Sequence, residues 1–234
     1  MSEFRHEYKY VCTLADLADV ENSISVLMDI DKNARKTGEY TVRSLYFDDY
    51  NDSCYYDNLY GYEPREKFRI RIYNQDSSRI NLELKKKQKG KVKKESCSLP
   101  YDVCRQILER RSIDIRAVDA PLFRKFYLQY CAKGLQPKVI VEYDRIPYVY
   151  KDGNVRVTFD KNIRSSNQCR YFLEDNVFFR PITETNTHLL EVKFDEYLPD
   201  FIHRVLNDKK LKQSTFSKYF LCRKYGLGGC NNEF

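Results

Sequence analysis

In the stretch Lys67-Phe-Arg-Ile-Arg-Ile-Tyr73, the cations Lys67, Arg69 and Arg71 alternate with Phe68, Ile70 and Ile72. At the two-residue period of a β-strand, the cations share one face and the apolar residues share the other. The pattern recurs at Arg5, Glu7 and Lys9, and again at Glu83, Lys85 and Lys87. Arg156, Thr158 and Asp160 oppose Val155, Val157 and Phe159, and Glu191 and Lys193 oppose Leu190, Val192 and Phe194. Arginine forks match phosphate oxygens in pairs, and lysines act as point charges. Carboxylates set among them are hard oxygen ligands for a divalent cation. The chemistry these residue types support is the handling of a polyanion with a metal ion bridging it.

Two arrangements produce such faces. A half-buried antiparallel sheet with a solvated outer face accounts for any one strand. A closed barrel with a charged interior accounts for the recurrence in several strands, provided that something neutralises the interior, because unpaired buried charge is very costly. The segment Lys85–Lys94 adds a run of lysines around Gly90, where a hairpin turn falls. It reads either as a solvated basic hairpin or as two arms facing one anion. Binding of single-stranded nucleic acid needs aromatic residues on the basic faces. The faces of Arg69/Arg71 and Lys85/Lys87 lack them, which argues against it.

The elements that must position these residues are mostly strands. Period-two runs rich in β-branched and aromatic residues cover Phe4–Cys12, Tyr40–Asp48, Glu66–Tyr73, Ile80–Lys87, Lys91–Ser98, Val139–Tyr150, Val155–Asp160 and His188–Phe194. Helices are expected after Thr13, after Pro100, from Asp119/Pro121 to Gly134, after Pro199, and over Phe216–Tyr225. This mixture predicts an α+β fold with a large antiparallel sheet. The chain has 234 residues, a formal net charge of +7 and 42% hydrophobic residues, which fits one folded domain over 1–234 and excludes a disordered chain. No apolar run approaches the roughly 20 residues that span a bilayer. The opening Met1-Ser-Glu-Phe-Arg-His-Glu7 lacks the apolar core of a signal peptide. The eight cysteines show no CxxC spacing and the three histidines do not cluster, so free thiols in a cytoplasmic protein are expected rather than disulfides or a soft-metal site.

Blocks along the chain resemble a known family. Arg5-His-Glu-Tyr-Lys-Tyr10 resembles the opening signature of the triphosphate tunnel metalloenzymes, and the closer match is to their polyphosphate polymerase branch, the VTC domain. The matching blocks run in order through Val42–Asp48, Lys67–Arg71, Leu82–Lys85, Val141–Arg145, Arg156–Asp160, Leu190–Lys193 and Phe216–Tyr219. The length and cysteine usage look like a stand-alone bacterial member. The resemblance implies a closed eight-stranded antiparallel β-barrel, the triphosphate tunnel, with flanking helices. Carried over residue by residue, it implies phosphate ligands at Lys9, Arg69, Arg71, Lys85, Arg145, Arg156 and Lys218. Tyr143, Lys94 and Lys193 join as substrate-binding residues, with Lys91 the alternative to Lys94 because the turn length is ambiguous. Glu191 matches the family's metal-binding glutamate, and Glu7 and Glu83 match other acidic tunnel positions, for Mn²⁺ or Mg²⁺. Thr215 and Glu95 stand where basic residues are usual, which is expected to lower tunnel charge.

Phosphoryl transfer needs positioning and charge neutralisation more than covalent help. The implied partners are ATP and inorganic polyphosphate or pyrophosphate, with no specific nucleic acid; association with membrane proteins stays open. The implied activity is polyphosphate polymerisation from ATP, with triphosphate hydrolysis or noncatalytic polyanion binding as the alternatives. Ser44, Tyr46 and Asp48 read as turn and packing residues. Neutralising Glu191 is expected to abolish activity and, by removing the desolvation of a carboxylate, to raise stability.

Overall fold

The computed structural model describes residues 4–34, 36–184, 186–209 and 211–228. In chain order the elements are β1 (His6–Cys12), α1 (Leu14–Ile24), β2 (Asp29–Ile30), β3 (Tyr40–Asp48), α2 (Ser53–Leu59), β4 (Arg65–Tyr73), β5 (Asp76–Gln88) and β6 (Lys91–Ser98). There follow α3 (Tyr101–Leu108), α4 (Pro121–Lys133), β7 (Gln136–Tyr150), β8 (Val155–Ser166), β9 (Arg180–Pro181), β10 (His188–Phe194), α5 (Asp200–Asp208) and α6 (Lys218–Gly228). Local chemistry sets several boundaries. Thr13 and Asp16 form a reciprocal capping box at the start of α1. Pro121 opens α4, and Gly134, at φ 61°, ends it in the left-handed conformation. Lys89 and Gly90 both have positive φ, so a two-residue turn of the I′ kind joins β5 to β6 and pairs Gln88 with Lys91.

The strands form one curled antiparallel sheet in the order β1-β10-β8-β7-β3-β4-β5-β6, with the two-residue β2 and β9 attached to β7 and β8. Helices cover its convex side in two groups. α3 and α4 pack Val103, Cys104, Ile107, Phe123 and Phe126 against Phe68, Ile70, Ile72, Leu82 and Leu84. α1 and α5 pack Leu17, Val20, Ile24, Ile202 and Leu206 against Val155, Val157, Phe159, Leu190 and Val192. The apolar faces therefore point outward against helices, and the charged faces point into the concavity. At one end the concave side turns apolar. Tyr219 and Cys222 of α6 and Tyr55 of α2 pack there against Tyr46, Val139, Val141 and Tyr143.

The expected closed barrel is not formed. Among the described residues the edges of β1 and β6 meet at a single bridge, where Arg5 and Val92 exchange hydrogen bonds of 2.8 and 2.9 Å. Further along β1 the same edge is taken by the segment before α6: Ser214 N donates to Lys9 O at 2.7 Å, and Gln213 bridges Tyr10. In the antiparallel register set by Arg5 and Val92, residues of β1 beyond His6 run past the Lys89-Gly90 turn where β6 begins, so no ladder to β6 continues along β1. The result is an eight-strand half-barrel whose seam is held at one end by a bridge and covered at the other by chain. Other expectations shift less. β8 runs on to Ser166, α6 begins at Lys218 instead of Phe216, and α2 was not anticipated. The seven described cysteines are free, and Cys230 lies outside the described residues.

Candidate functional site: a charged concavity

The inward faces of the strands gather three linked knots of charge, each built around carboxylates. In the first, Glu83 of β5 accepts from Arg69 NH2 at 2.6 Å and from Lys94 at 3.0 Å, with Arg71 at 3.6 Å. Strand β3 holds the two arginines from the other side: Tyr46 OH accepts from Arg69 at 2.9 Å and Ser44 Oγ from Arg71 at 3.0 Å. The hairpin register sets Lys94 opposite Lys85, on the face shared with Glu83 and away from that of Lys91. In the second knot, Glu7 of β1 reaches Lys85 across the seam at 2.8 Å and Lys193 at 3.3 Å, with Lys9 at 3.7 Å.

The third knot is the most buried. Glu191 of β10 has Lys218 at 2.9 Å, Lys193 at 3.1 Å, Arg145 at 3.5 Å and Lys9 at 3.8 Å. Beneath it Asp160, with no exposed surface, grips Arg145 at 2.6 and 2.7 Å and Lys218 at 2.5 Å. The Tyr143 ring lies under both cations, with Lys218 at 4.7 Å and Arg145 at 5.1 Å from its centroid. Arg156 stands apart, held by Asp31 at 2.9 Å and Tyr40 OH at 3.0 Å. Lys67, between Asn58 and the Tyr219 ring, completes the cationic wall.

Lys218 arrives on a helix, not a strand. It is seated by Tyr219, whose hydroxyl donates to Asp48 Oδ2, while Asp48 also accepts from the backbone N–H of Cys54 at 2.8 Å and Tyr55 at 3.1 Å. One buried carboxylate thus ties β3, α2 and α6 together. Asp48 is a packing residue, as its sequence position indicates. Ser44 and Tyr46 do more than pack, since they orient two arginines.

The electrostatics follow from burial opposed by neighbours. Burial alone would raise the Glu191 carboxyl, but Lys193, Lys218, Lys9 and Arg145 outweigh it and hold it well below the usual carboxylate range. Glu7 is likewise held low against its burial by Lys85, Lys9 and Lys193, and Asp160 by Arg145 and Lys218. Burial pushes the Lys67 ammonium down to about 7, aided by the nearby Arg65 charge. Lys85 is driven down by burial and by Lys9 and Lys193, against the pull of Glu7. The carboxylates are therefore fixed anions, and two lysines are the groups able to titrate near neutrality.

A family model described as VTC domain matches residues 4–225, nearly the whole chain. The chain belongs to the VTC domain family. Similar solved structures share this VTC domain's fold. One is a Bacillus halodurans protein described as a candidate adenylate cyclase: 11% identity, TM-score 0.58, 92% of this chain and 95% of that chain covered. Another, from Hippeastrum, is described as a candidate adenylyl cyclase with a dominant triphosphatase activity: 12% identity, TM-score 0.50, 96% of each chain covered. A Pyrococcus horikoshii protein matches at 11% identity and TM-score 0.50, covering 93% of this chain and 98% of that chain. At such identities the likeness is one of fold. No curated protein sequence matches the chain.

Within this VTC domain the expected phosphate ligands share the concave face, with Arg156 at its margin. Glu95, expected to dilute the interior charge, lies on the outer face and pairs with Lys86 at 2.7 Å. Asp160 and Lys67 escaped the list of site residues, although alternation already placed them on the charged faces beside Arg156 and Arg69. The three expected metal ligands do not come together. Glu83 is engaged by three cations of its own, and among the described residues no group of three or more His, Cys, Asp and Glu side chains gathers to hold a metal. Glu7 and Glu191 bracket one ammonium, that of Lys193. Two carboxylates at one point suit a hard divalent ion that completes its shell from phosphate oxygens and water.

Proposed function

We propose that the protein is a metal-dependent phosphotransferase that binds a triphosphate in the charged concavity and transfers the γ-phosphate of ATP to inorganic polyphosphate or pyrophosphate. The observation that carries the reading is the knot around Glu191 and Asp160, where Lys9, Lys193, Lys218 and Arg145 converge in a buried interior. Together with Arg69, Arg71, Lys85, Lys94 and Arg156 they outnumber the carboxylates among them. Such an interior repels itself, and a chain of phosphates supplies the missing negative charge.

Arg69, Arg71 and Arg145 are held in orientation by Tyr46, Ser44, Glu83 and Asp160, which leaves the N–H donors not spent on these partners for phosphate oxygens. Lys218 and Lys9 lie over Glu191, where they neutralise charge on the transferred group. Glu191 and Glu7 would hold the Mn²⁺ or Mg²⁺ ion that the family implies. Such an ion would supply positive charge against the phosphates and the departing ADP. On this reading the attacking oxygen, the γ-phosphorus and the leaving oxygen would lie along the curled sheet, with no covalent intermediate on the protein.

Incubation with ATP and Mn²⁺, resolved by chain length on a gel, tests the reading. A ladder of lengthening polyphosphate with release of ADP is the expected result. Orthophosphate and ADP with no ladder would make the protein a triphosphatase, the reading favoured by the activity described for the Hippeastrum structure. Binding without ADP release would make it a polyanion-binding module.

A further inference from the structure

Thr158 Oγ1 is a buried polar atom without a hydrogen-bond partner among the described residues, on a residue with 1% of its surface exposed. It lies on β8 between Arg156 and Asp160, on the inward face, with Val157 and Phe159 turned outward into the apolar cluster. Its cross-strand neighbours are Glu191 on β10 and Pro147 on β7. Pro147 has no N–H to offer. Glu191 is occupied by Lys218, Lys193, Arg145 and Lys9. Among the described residues the hydroxyl, on the face of the deepest charge knot, has nothing to bond.

A buried hydroxyl left unpaired destabilises the fold that carries it, and valine would fill the same volume without that cost. Valine matches threonine in shape, so packing alone does not account for the hydroxyl at position 158. The position also excludes another cation, because Arg145 and Lys218 already share Asp160 and Glu191 there. A hydroxyl adds a donor without adding charge.

We infer that Thr158 is a ligand-binding residue whose hydroxyl donates to a phosphate oxygen of the bound oligophosphate, at the level of Glu191. The inference rests on the oligophosphate reading above and goes beyond the charged residues that motivate it. The donated bond is charge-assisted, and its loss is expected to weaken binding roughly tenfold.

Thermal unfolding of three proteins, with tripolyphosphate or orthophosphate at equal ionic strength, tests it. Without ligand, Thr158→Val should melt at or above the temperature of the native chain, since an unpaired hydroxyl is removed. With tripolyphosphate at about a hundred times its Kd for the native chain, Thr158→Val should lose about half of the native shift. Thr158→Ser, which keeps the hydroxyl, should retain most of it. A lower melting temperature for ligand-free Thr158→Val would mean that the hydroxyl serves the fold, and would overturn the inference. So would an undiminished tripolyphosphate shift in that variant. Equal stabilisation of the native chain by tripolyphosphate and orthophosphate would instead sink the oligophosphate reading, and this inference with it.

Discussion

Glu191→Gln isolates the charge of one carboxylate while keeping its shape. Glu191 is 5% exposed and has four cations between 2.9 and 3.8 Å. Removing one partner from a buried ionic group costs about 3–5 kcal/mol, because the other partners stay buried with their charge uncompensated. The lower end applies here: Lys218 and Arg145 keep Asp160, and Lys193 and Lys9 keep Glu7. A loss of about 3 kcal/mol in a chain of this length lowers the melting temperature by roughly 6–12 °C. The direction is opposite to the one expected from the sequence, where the carboxylate counts only as a desolvation penalty. Oligophosphate carries negative charge to the same cations, so tripolyphosphate should stabilise Glu191→Gln by more degrees than it stabilises the native chain. Differential scanning fluorimetry at fixed ionic strength reads both quantities. A variant that melts at or above the native temperature, or that gains no more from tripolyphosphate, would refute Glu191 as the hub of the knot.

Three more outcomes follow from the same geometry. Lys67 is pushed from 10.5 down to about 7, so between those values the unfolded chain holds a proton that the folded chain has released. The ligand-free protein should therefore gain stability as pH rises through that window, while tripolyphosphate binding, which restores the proton, should weaken. Calorimetry at pH 8.5 in two buffers of different ionisation enthalpy should show proton uptake on binding, reduced in Lys67→Met; no uptake in the native chain refutes this. Arg69→Ala and Arg156→Ala should each erase most of the preference for tripolyphosphate over orthophosphate in thermal shift, whereas Arg116→Ala, whose partner is the exposed Asp114, should leave it intact. Equal effects from all three would indicate diffuse electrostatics. Tyr219→Phe removes the hydroxyl donor to Asp48 and should cost about 1–2 kcal/mol in denaturant unfolding, with a fall in activity as Lys218 loses its seat.

Alternation made much of the site legible before any coordinates. It set Lys67, Arg69 and Arg71 on one face, grouped Arg156 with Asp160, and gave the bounds of β3, β6 and β10. Which face is buried was not legible, because a solvated sheet and a lined concavity write the same pattern. The pairing of carboxylates with particular cations was also hidden, since Lys85 and Glu7 meet only once the sheet has curled. α2 escaped because Ser53–Leu59 is short and buries only Tyr55. The open seam escaped for a different reason. Nothing local to Gln213 and Ser214 marks them as occupants of the edge of β1, so the family pattern carried the expectation of closure unopposed.

The pairing of β1 with β10 sets the order in which this molecule can be made. Strand β1 finds its partner only when His188–Phe194, about 180 residues further along the chain, has been synthesised. Until then one flank of the nascent sheet is bare, and Glu7 and Lys9 wait without the cross-strand neighbours Lys193 and Glu191. Contacts spanning nearly the whole sequence make folding slow and leave strand edges exposed to other chains. The alternating charge of Arg5, Glu7 and Lys9, which completes the interior of the finished protein, also makes that waiting edge a poor template for aggregation.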